Sequence, residues 1–287
     1  MSTSDRKNII VADSDALDRF IKTGNTHVLP ALYDRVVVPE QVYRELTRER
    51  SPREVREWMS RQRDERTWLR VGADPLRNPD PTKARGWGEK QAIALAHECR
   101  RSGNYESVSM LLEDRKAVGR ADQQGLQVTR GLFLLDEADR RGLIDPLPEE
   151  IKCLEALPID YRNEKALIDG KMVPLTDVLV ERHYQRQEQL GRLDIKSVQG
   201  ASPDRRDFIA SFPSGKQSRF SVGGLTEGED VRGLLTFHHY ERLERQSHSE
   251  VLNLKAEGPQ YSHTQTETRT ETHTETPAQA ETHSIKF

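Results

Sequence analysis

Short runs of branched apolar residues alternate, over the first half of the chain, with segments whose apolar positions recur at helical spacing. The apolar runs are residues 8–12, 36–38, 107–112 and 126–129. Each run is short enough for a strand that is buried on both faces. The segments between them place apolar residues three or four positions apart, as Leu17, Phe20 and Ile21 do. This alternation predicts a parallel sheet covered by helices, and right-handed crossovers place its first strand near the middle.

The expected fold class is therefore α/β, with three layers (α/β/α) and a central parallel sheet in residues 6–147. Residues 148–258 predict a smaller α+β region of unknown role. It contains a connector, a small hairpin, a helix, two strands around a Ser-Gly turn and a last helix. The predicted ranges are 151–160, 167–173, 174–193, 207–222 and 229–245, in that order.

Residues 259–287 form a low-complexity tail in which threonine occupies every second position from 264 to 276. Such alternation could mimic a strand, but neither face is apolar. A segment that buries no apolar surface cannot offset the entropy lost on ordering. We therefore expect this tail to be disordered.

Charge, cysteine content and the lengths of the apolar runs indicate where in the cell the protein acts. Charged residues make up 32% of the chain and hydrophobic residues 34%, and the net charge of −3 implies no global attraction to nucleic acid. Two cysteines, Cys99 and Cys153, form neither a disulfide framework nor a zinc pattern. No apolar run approaches the roughly 20 residues that span a bilayer, and the N-terminus lacks the apolar core of a signal peptide. These features predict a cytoplasmic protein with no membrane partner.

The strongest local basic patch is residues 44–70, with nine arginines against six acidic residues. Arginine binds phosphate well, and the interleaved Trp58 and Trp68 could stack on unpaired bases. The alternative for the tryptophans is an apolar stripe with Val55 and Met59 that packs in the core, and we favour it. Residues 72–86, with three prolines, predict a loop.

Four carboxylates have positions that could bring them together. Asp13 follows the first strand and Asp114 follows the strand at 107–112, and parallel strands present their carboxyl ends at one edge of a sheet. Glu45 lies in the predicted helix after the strand at 36–38, and Glu89 lies in the first turn of the predicted helix after the loop at 72–86. Three of the four have an ordinary alternative: Asp13 as a helix N-cap, Glu45 as a solvated helix residue, and Glu89 as an acid favoured by the helix dipole.

If the four carboxylates meet, they would suit Mg²⁺ or Mn²⁺, which prefer oxygen ligands. Crowded carboxylates raise one another's pKa unless a cation is present, so such a cluster is costly as mere structure. Glu113, Asp15 and Asp136 are candidate outer members. A divalent cation held in this way activates water and stabilises charge on a phosphate, the two needs of phosphodiester hydrolysis.

Four pieces in order carry a resemblance to the PIN-domain nucleases, in the branch related to the toxins of toxin–antitoxin pairs. They are Asp13-Ser14-Asp15-Ala16-Leu17, then P-E-Q-V-Y-R-E-L from Pro39, G-E-K-Q-A-I-A-L-A from Gly88, and L-L-E-D-R-K-A from Leu111. The resemblance covers residues 6–147 and departs from the family pattern at Asp15, Glu113 and Val118. Residues 148–287 resemble no family.

The resemblance implies a metal-dependent ribonuclease that cleaves single-stranded RNA, as the toxin of a toxin–antitoxin pair. Asp13, Glu89 and Asp114 take the metal-ligand places, and Glu45 joins them as a catalytic residue. The candidate substrate contacts are Arg44, Arg48, Arg115 and Lys116. Candidate partners are RNA, an antitoxin protein and a second copy of the chain. The alternative is a PIN-like module that binds RNA or a protein and does not cut.

Overall fold

The computed structural model describes residues 7–65, 68–77, 86–155, 164–198, 204–225, 229–247 and 250–256. Its largest sheet has five parallel strands in the order β3-β2-β1-β4-β5. The strands are β1 (Lys7–Ala12), β2 (Arg35–Pro39), β3 (Leu69–Gly72), β4 (Tyr105–Leu111) and β5 (Gln127–Thr129). The predicted parallel sheet is thus confirmed, and the first strand lies at its centre.

Eight helices accompany this sheet in the described residues. They are α1 (Ser14–Lys22), α2 (Val28–Leu32), α3 (Glu40–Thr47), α4 (Arg53–Glu65), α5 (Trp87–Ser102), α6 (Arg115–Gln123), α7 (Gly131–Arg140) and α8 (Leu147–Glu155). Successive strand residues bury opposite faces of the sheet: Ile10 packs against α1, α2 and α7, whereas Ile9 and Val11 pack against α5 and α6. Two apolar cores therefore flank one sheet, as the predicted three-layer α/β/α fold requires.

Strand β3 was not predicted. The sequence assigned its residues to the end of the arginine-rich patch and the start of the loop at 72–86. The strand is four residues long and lies at the edge of the sheet, where Leu69 pairs with Val36 of β2. The tryptophans belong to the core: Trp58 and Trp68 pack against it with ring centroids 5.8 Å apart. The favoured interpretation of the two tryptophans is thus confirmed. Most of the predicted loop, residues 78–85, lies outside the described residues.

The connector predicted at residues 151–160 is wrong where the structure describes it, because α8 continues through Glu155. Its side chains Leu147 and Ile151 are buried in the same core as α1 and α7. Leu175 and Leu179 of the next helix, α9 (Leu175–Gly191), join that core as well. The core thus continues past residue 147, and the division of the chain at that point stays a prediction.

The described residues after α8 match the predicted α+β region in part: the hairpin, the helix after it and the two strands at 207–222 were predicted, whereas the strands at 194–198 and 251–255 were not. Strands β6 (Lys165–Ile168) and β7 (Lys171–Pro174) form the hairpin, in which Asp169 and Gly170 both have positive φ. A four-stranded sheet of order β11-β10-β9-β8 packs against α10 (Phe237–Arg245). Its strands are β8 (Asp194–Val198), β9 (Arg205–Ser211), β10 (Gln217–Gly223) and β11 (Val251–Lys255). The predicted helix at 229–245 begins instead as a 3-10 turn over Val231–Leu234. The tail at 259–287 lies outside the described residues.

A buried ion-pair network joins α7 to α9. Arg186 of α9 donates to Asp136 at 2.7 Å and to Asp139 at 2.6 Å. Asp139 also lies 2.8 Å from the ring of His183. Asp136 is therefore not an outer member of the carboxylate cluster, because its charge is neutralised by an arginine 50 positions later in the chain.

Within the described residues, the helices are either too short or too polar to cross a lipid bilayer.

Candidate active site

A cavity of about 460 Å³ opens where the chain leaves the carboxyl ends of the parallel strands. The structure brings all four predicted carboxylates to its wall. Asp13 follows β1, Glu45 lies on α3 after β2, Glu89 lies in the first turn of α5, and Asp114 follows β4. Asp15 and Arg48 also line the cavity. Residues 101 positions apart in the sequence thus meet because parallel strands end at one edge.

Asp13 is the most deeply buried of these acids, with 5% of the residue exposed. Its backbone N–H donates to the carbonyl of Leu111 at 3.2 Å, which ties the ends of β1 and β4 together. Its Oδ1 accepts the N–H of Ala16 at 2.9 Å, so it also caps α1. Burial raises the pKa of Asp13 to about 7, and the negative charges of Asp15 and Glu113 raise it further. The N–H of Ala16 and the positive charge of Arg19 act in the opposite direction and lower this pKa.

Within the described residues, Glu45 is held by two neutral donors and forms no ion pair. The Ser14 hydroxyl donates to its Oε2 at 3.0 Å, and Gln41 donates to its Oε1 at 2.9 Å. Its carboxylate lies against Gly88 in the first turn of α5. A Cβ at Gly88 would lie 2.5 Å from Oε2, so only glycine leaves room for Glu45 in this place. Glu45 is therefore part of the cavity wall and not the solvated helix residue of the alternative.

Glu89 and Asp114 belong to neighbouring helices. Glu89 forms an ion pair with Arg120 of α6. Asp114 is exposed and caps α6: its Oδ1 accepts the N–H groups of Lys116 at 2.8 Å and Ala117 at 3.0 Å. The sequence did not single out Arg120, because no spacing rule relates it to Glu89, which lies 31 positions earlier on another helix.

Glu113 points away from this cavity, into the protein. It is buried and accepts from Arg19 at 2.9 Å and from the Gly131 N–H at 2.8 Å. Arg130 lies behind it and donates to Glu164 at 2.5 Å. Burial raises the pKa of Glu113, and Arg19 opposes that rise. The proposed outer member Glu113 thus lies in an internal ion-pair chain, close enough to Asp13 to add to its negative surroundings.

The predicted substrate contacts lie around the cavity in different settings. Arg48 lines it. Arg44 is ion-paired with Asp74 at 2.5 Å. Arg115 and Lys116 are exposed in the first turn of α6, immediately after Asp114. Their role in binding substrate stays a prediction.

The residues on the cavity wall suit a divalent cation by their chemistry. The donors are carboxylate and hydroxyl oxygens, which Mg²⁺ and Mn²⁺ prefer. The raised pKa of Asp13 shows that its surroundings disfavour a negative charge, which a cation would offset. Yet among the residues that the structure describes, no three carboxylate, histidine or cysteine side chains form a ready-made metal site. A cation would also have to compete with Arg120 for Glu89.

Substitution of Gly88 with alanine should weaken Mn²⁺ binding by roughly tenfold, because a Cβ there displaces the Glu45 carboxylate from the cavity wall, and its negative charge favours a cation beside the ligands Asp13, Glu89 and Asp114. The free energy of unfolding should fall by no more than about 1 kcal/mol, since the displaced atoms end a flexible side chain. Titration calorimetry with Mn²⁺ and urea unfolding measure the two effects.

The matched control is Gly119→Ala in α6, where a Cβ would meet nothing within 4 Å. It should leave Mn²⁺ binding unchanged and stabilise the helix by about 0.5–1 kcal/mol. Equal Mn²⁺ affinity in the two variants would contradict the placement of Glu45 in the site.

A comparison with known protein families gives a match to a PIN-domain family. The model of a family described as a PIN domain matches residues 9–169, more than half of the 287-residue chain. The match extends beyond residue 147 and covers α8 and the β6 strand, so the prediction that the chain resembles no family from residue 148 onward is wrong for residues 148–169. A search among curated proteins found no significant match.

Proposed function

Because this chain belongs to the PIN-domain family, we propose that it is a ribonuclease that hydrolyses phosphodiester bonds of single-stranded RNA with a bound Mg²⁺ or Mn²⁺ ion. PIN domains are in general nucleases and usually use divalent metal ions. The observation that carries the proposal is the convergence of Asp13, Glu45, Glu89 and Asp114 on one cavity. The proposal includes the role of toxin in a toxin–antitoxin pair, since the quoted motifs resemble that branch.

In this proposal Asp13, Glu89 and Asp114 hold the cation. When bound, the cation would supply an acidified water and a sink for the charge that develops on the phosphate. Arg120 would release Glu89 and become available to the substrate. The hydroxyl of Ser14 and the amide of Gln41 keep Glu45 in place, so that Oε2 of Glu45 can take the proton of the attacking water. Arg48 would hold the phosphate at the mouth of the cavity.

The test uses the full chain. We expect the purified protein to cleave a single-stranded RNA oligonucleotide in Mn²⁺ or Mg²⁺, to leave it intact in EDTA, and to bind Mn²⁺ in titration calorimetry. Cleavage is followed by gel electrophoresis of end-labelled RNA. Intact RNA across several sequences, together with no heat of Mn²⁺ binding, would overturn the proposal.

A second candidate is a PIN domain that binds RNA, an antitoxin protein or a second copy of the chain and does not cut. It is favoured by the arginine that already neutralises Glu89 and by the lack of a ready-made metal cluster in the described part of the chain. This candidate predicts salt-dependent RNA binding in EDTA that survives replacement of the cavity carboxylates.

A further inference from the structure

A groove of about 620 Å³ lies between α5, α6 and residues 75–76. It adjoins the candidate active site through two residues. Arg120 lines the groove and forms the ion pair with Glu89, which lines the active-site cavity. Lys90, the residue after Glu89, lines the groove as well. The Arg120–Glu89 ion pair therefore lies at the boundary between the groove and the cavity that holds the carboxylates.

The walls of the groove are cationic. Lys90, Arg100, Arg101 and Arg120 line it, and Glu98 is the one carboxylate among its described lining residues. In the described part of the chain, no ion pair joins Lys90, Arg100 or Arg101 to an acid. Arg100 is instead anchored by donating to the carbonyl of Gly125 at 2.6 Å. Among the described residues, Lys90, Arg100 and Arg101 thus offer positive charges that no carboxylate pairs with, and an anionic ligand would complement them.

Apolar residues complete the groove. Pro75, Leu76, Ile93 and Ala94 line it, and Leu76 remains 41% exposed. Leu76 is not loosely placed. The fully buried amide of Gln91 accepts its N–H at 2.8 Å and donates to its carbonyl at 2.6 Å. A buried glutamine therefore fixes an exposed leucine at the edge of a cationic wall. That combination suits a ligand that has both phosphates and flat apolar faces.

We propose that this groove binds the nucleotides of single-stranded RNA that flank the cleaved bond, with their phosphates on Lys90, Arg100 and Arg101 and an unpaired base against Leu76. The inference rests on the proposed function, whose substrate path it specifies. Base faces are available to a leucine only in an unpaired strand, because pairing and stacking cover them in a duplex. The groove therefore selects single strands and positions them for the cavity.

The contribution of the cationic side chains to RNA binding is tested by measuring the fluorescence anisotropy of a labelled single-stranded RNA oligonucleotide in EDTA. Lys90→Gln with Arg101→Gln should weaken binding roughly tenfold and reduce the slope of log K against log salt by about 1.4, the value for two phosphate contacts on a single strand. The control, Arg192→Gln with Lys196→Gln, removes the same charge from exposed positions of the C-terminal part and should bind as the wild type does. Equal affinity of the two double variants would overturn the proposal and leave the groove to an acidic protein partner.

The apolar part is tested by Leu76→Ala, which should weaken binding of single-stranded RNA about fivefold and leave binding of an abasic strand of equal charge unchanged. The control is Leu167→Ala, which shortens another exposed leucine in the β6–β7 hairpin. If Leu76→Ala weakens abasic and ordinary strands alike, or neither, the placement of a base on Leu76 is wrong.

These measurements separate the inference from the proposed function. Binding in EDTA requires no cleavage. If the wild type does not cut RNA but its RNA binding depends on Lys90 and Arg101, the inference that the groove binds single-stranded RNA is supported and the nuclease proposal fails. If it cuts RNA and the groove variants bind and cut as the wild type does, the nuclease proposal is upheld and the groove inference fails.

Discussion

Asp114→Asn and Asp13→Asn should each reduce the rate of Mn²⁺-dependent RNA cleavage by at least about a hundredfold. A metal ion contributes several kcal/mol of transition-state stabilisation, and each 1.4 kcal/mol lost is a factor of ten. Asparagine keeps the shape of aspartate and caps helices about as well, so both variants should keep α1 and α6 intact. Rates are measured with end-labelled single-stranded RNA, and folding by circular dichroism.

Asp122→Asn provides the control for this result. Asp122 is an exposed residue of α6, the helix that Asp114 caps, and lines neither the cavity nor the groove. It should cleave at the wild-type rate. Wild-type cleavage by Asp114→Asn would remove that carboxylate from the proposed mechanism, and an unfolded variant would be recognised by its spectrum.

Asp13→Asn should also make the protein more stable than the wild type, by an amount that grows with pH. The pKa of Asp13 is about 7 in the folded protein against an ordinary value of 3.8, so the folded protein holds this proton more tightly than the unfolded chain does. The wild type should therefore lose stability relative to the variant as the pH rises from about 4 to 7, with a plateau above. The full shift corresponds to about 4 kcal/mol as an upper limit.

Urea unfolding of both proteins at pH 5, 6, 7 and 8 gives the difference in free energy of unfolding directly. Glu113 and Glu164, whose pKa values are also raised by burial, are present in both proteins and largely cancel in this difference. Saturating Mn²⁺ should flatten the pH dependence of the wild type, because a bound cation favours the ionised carboxylate. A difference that does not change between pH 5 and 8 would show that Asp13 ionises normally.

Local patterns were sufficient to predict four of the five strands of the parallel sheet and the approach of Asp13 to Asp114. The buried runs around Ile9 and Met110 mark strands without reference to the rest of the chain, and right-handed crossovers then order them. Strand β3 could not be found in this way. It is short, it follows an arginine-rich helix, and only its pairing with Val36 distinguishes it from a loop.

The environment of each carboxylate could not be predicted, because it depends on residues far away in the sequence. Glu113 and Asp114 are neighbours with similar chemistry, yet one turns inward to Arg19 and Gly131 and the other caps a helix at the cavity. Arg19 is 94 positions from Glu113. The burial that raises the pKa of Asp13 comes likewise from packing between elements, which no spacing rule describes.

Helix α9 belongs to two cores at once. Its first turns place Leu175 and Leu179 among residues of α1 and α7, while its last turn leads to Leu193 in the core of the C-terminal sheet. Arg186 of the same helix is also ion-paired with Asp136 and Asp139 of α7. Recombination between related genes would therefore yield a well-packed chimera only if the crossover falls beyond Arg186, so that the donor of the parallel-sheet half also supplies the part of α9 that packs on α7.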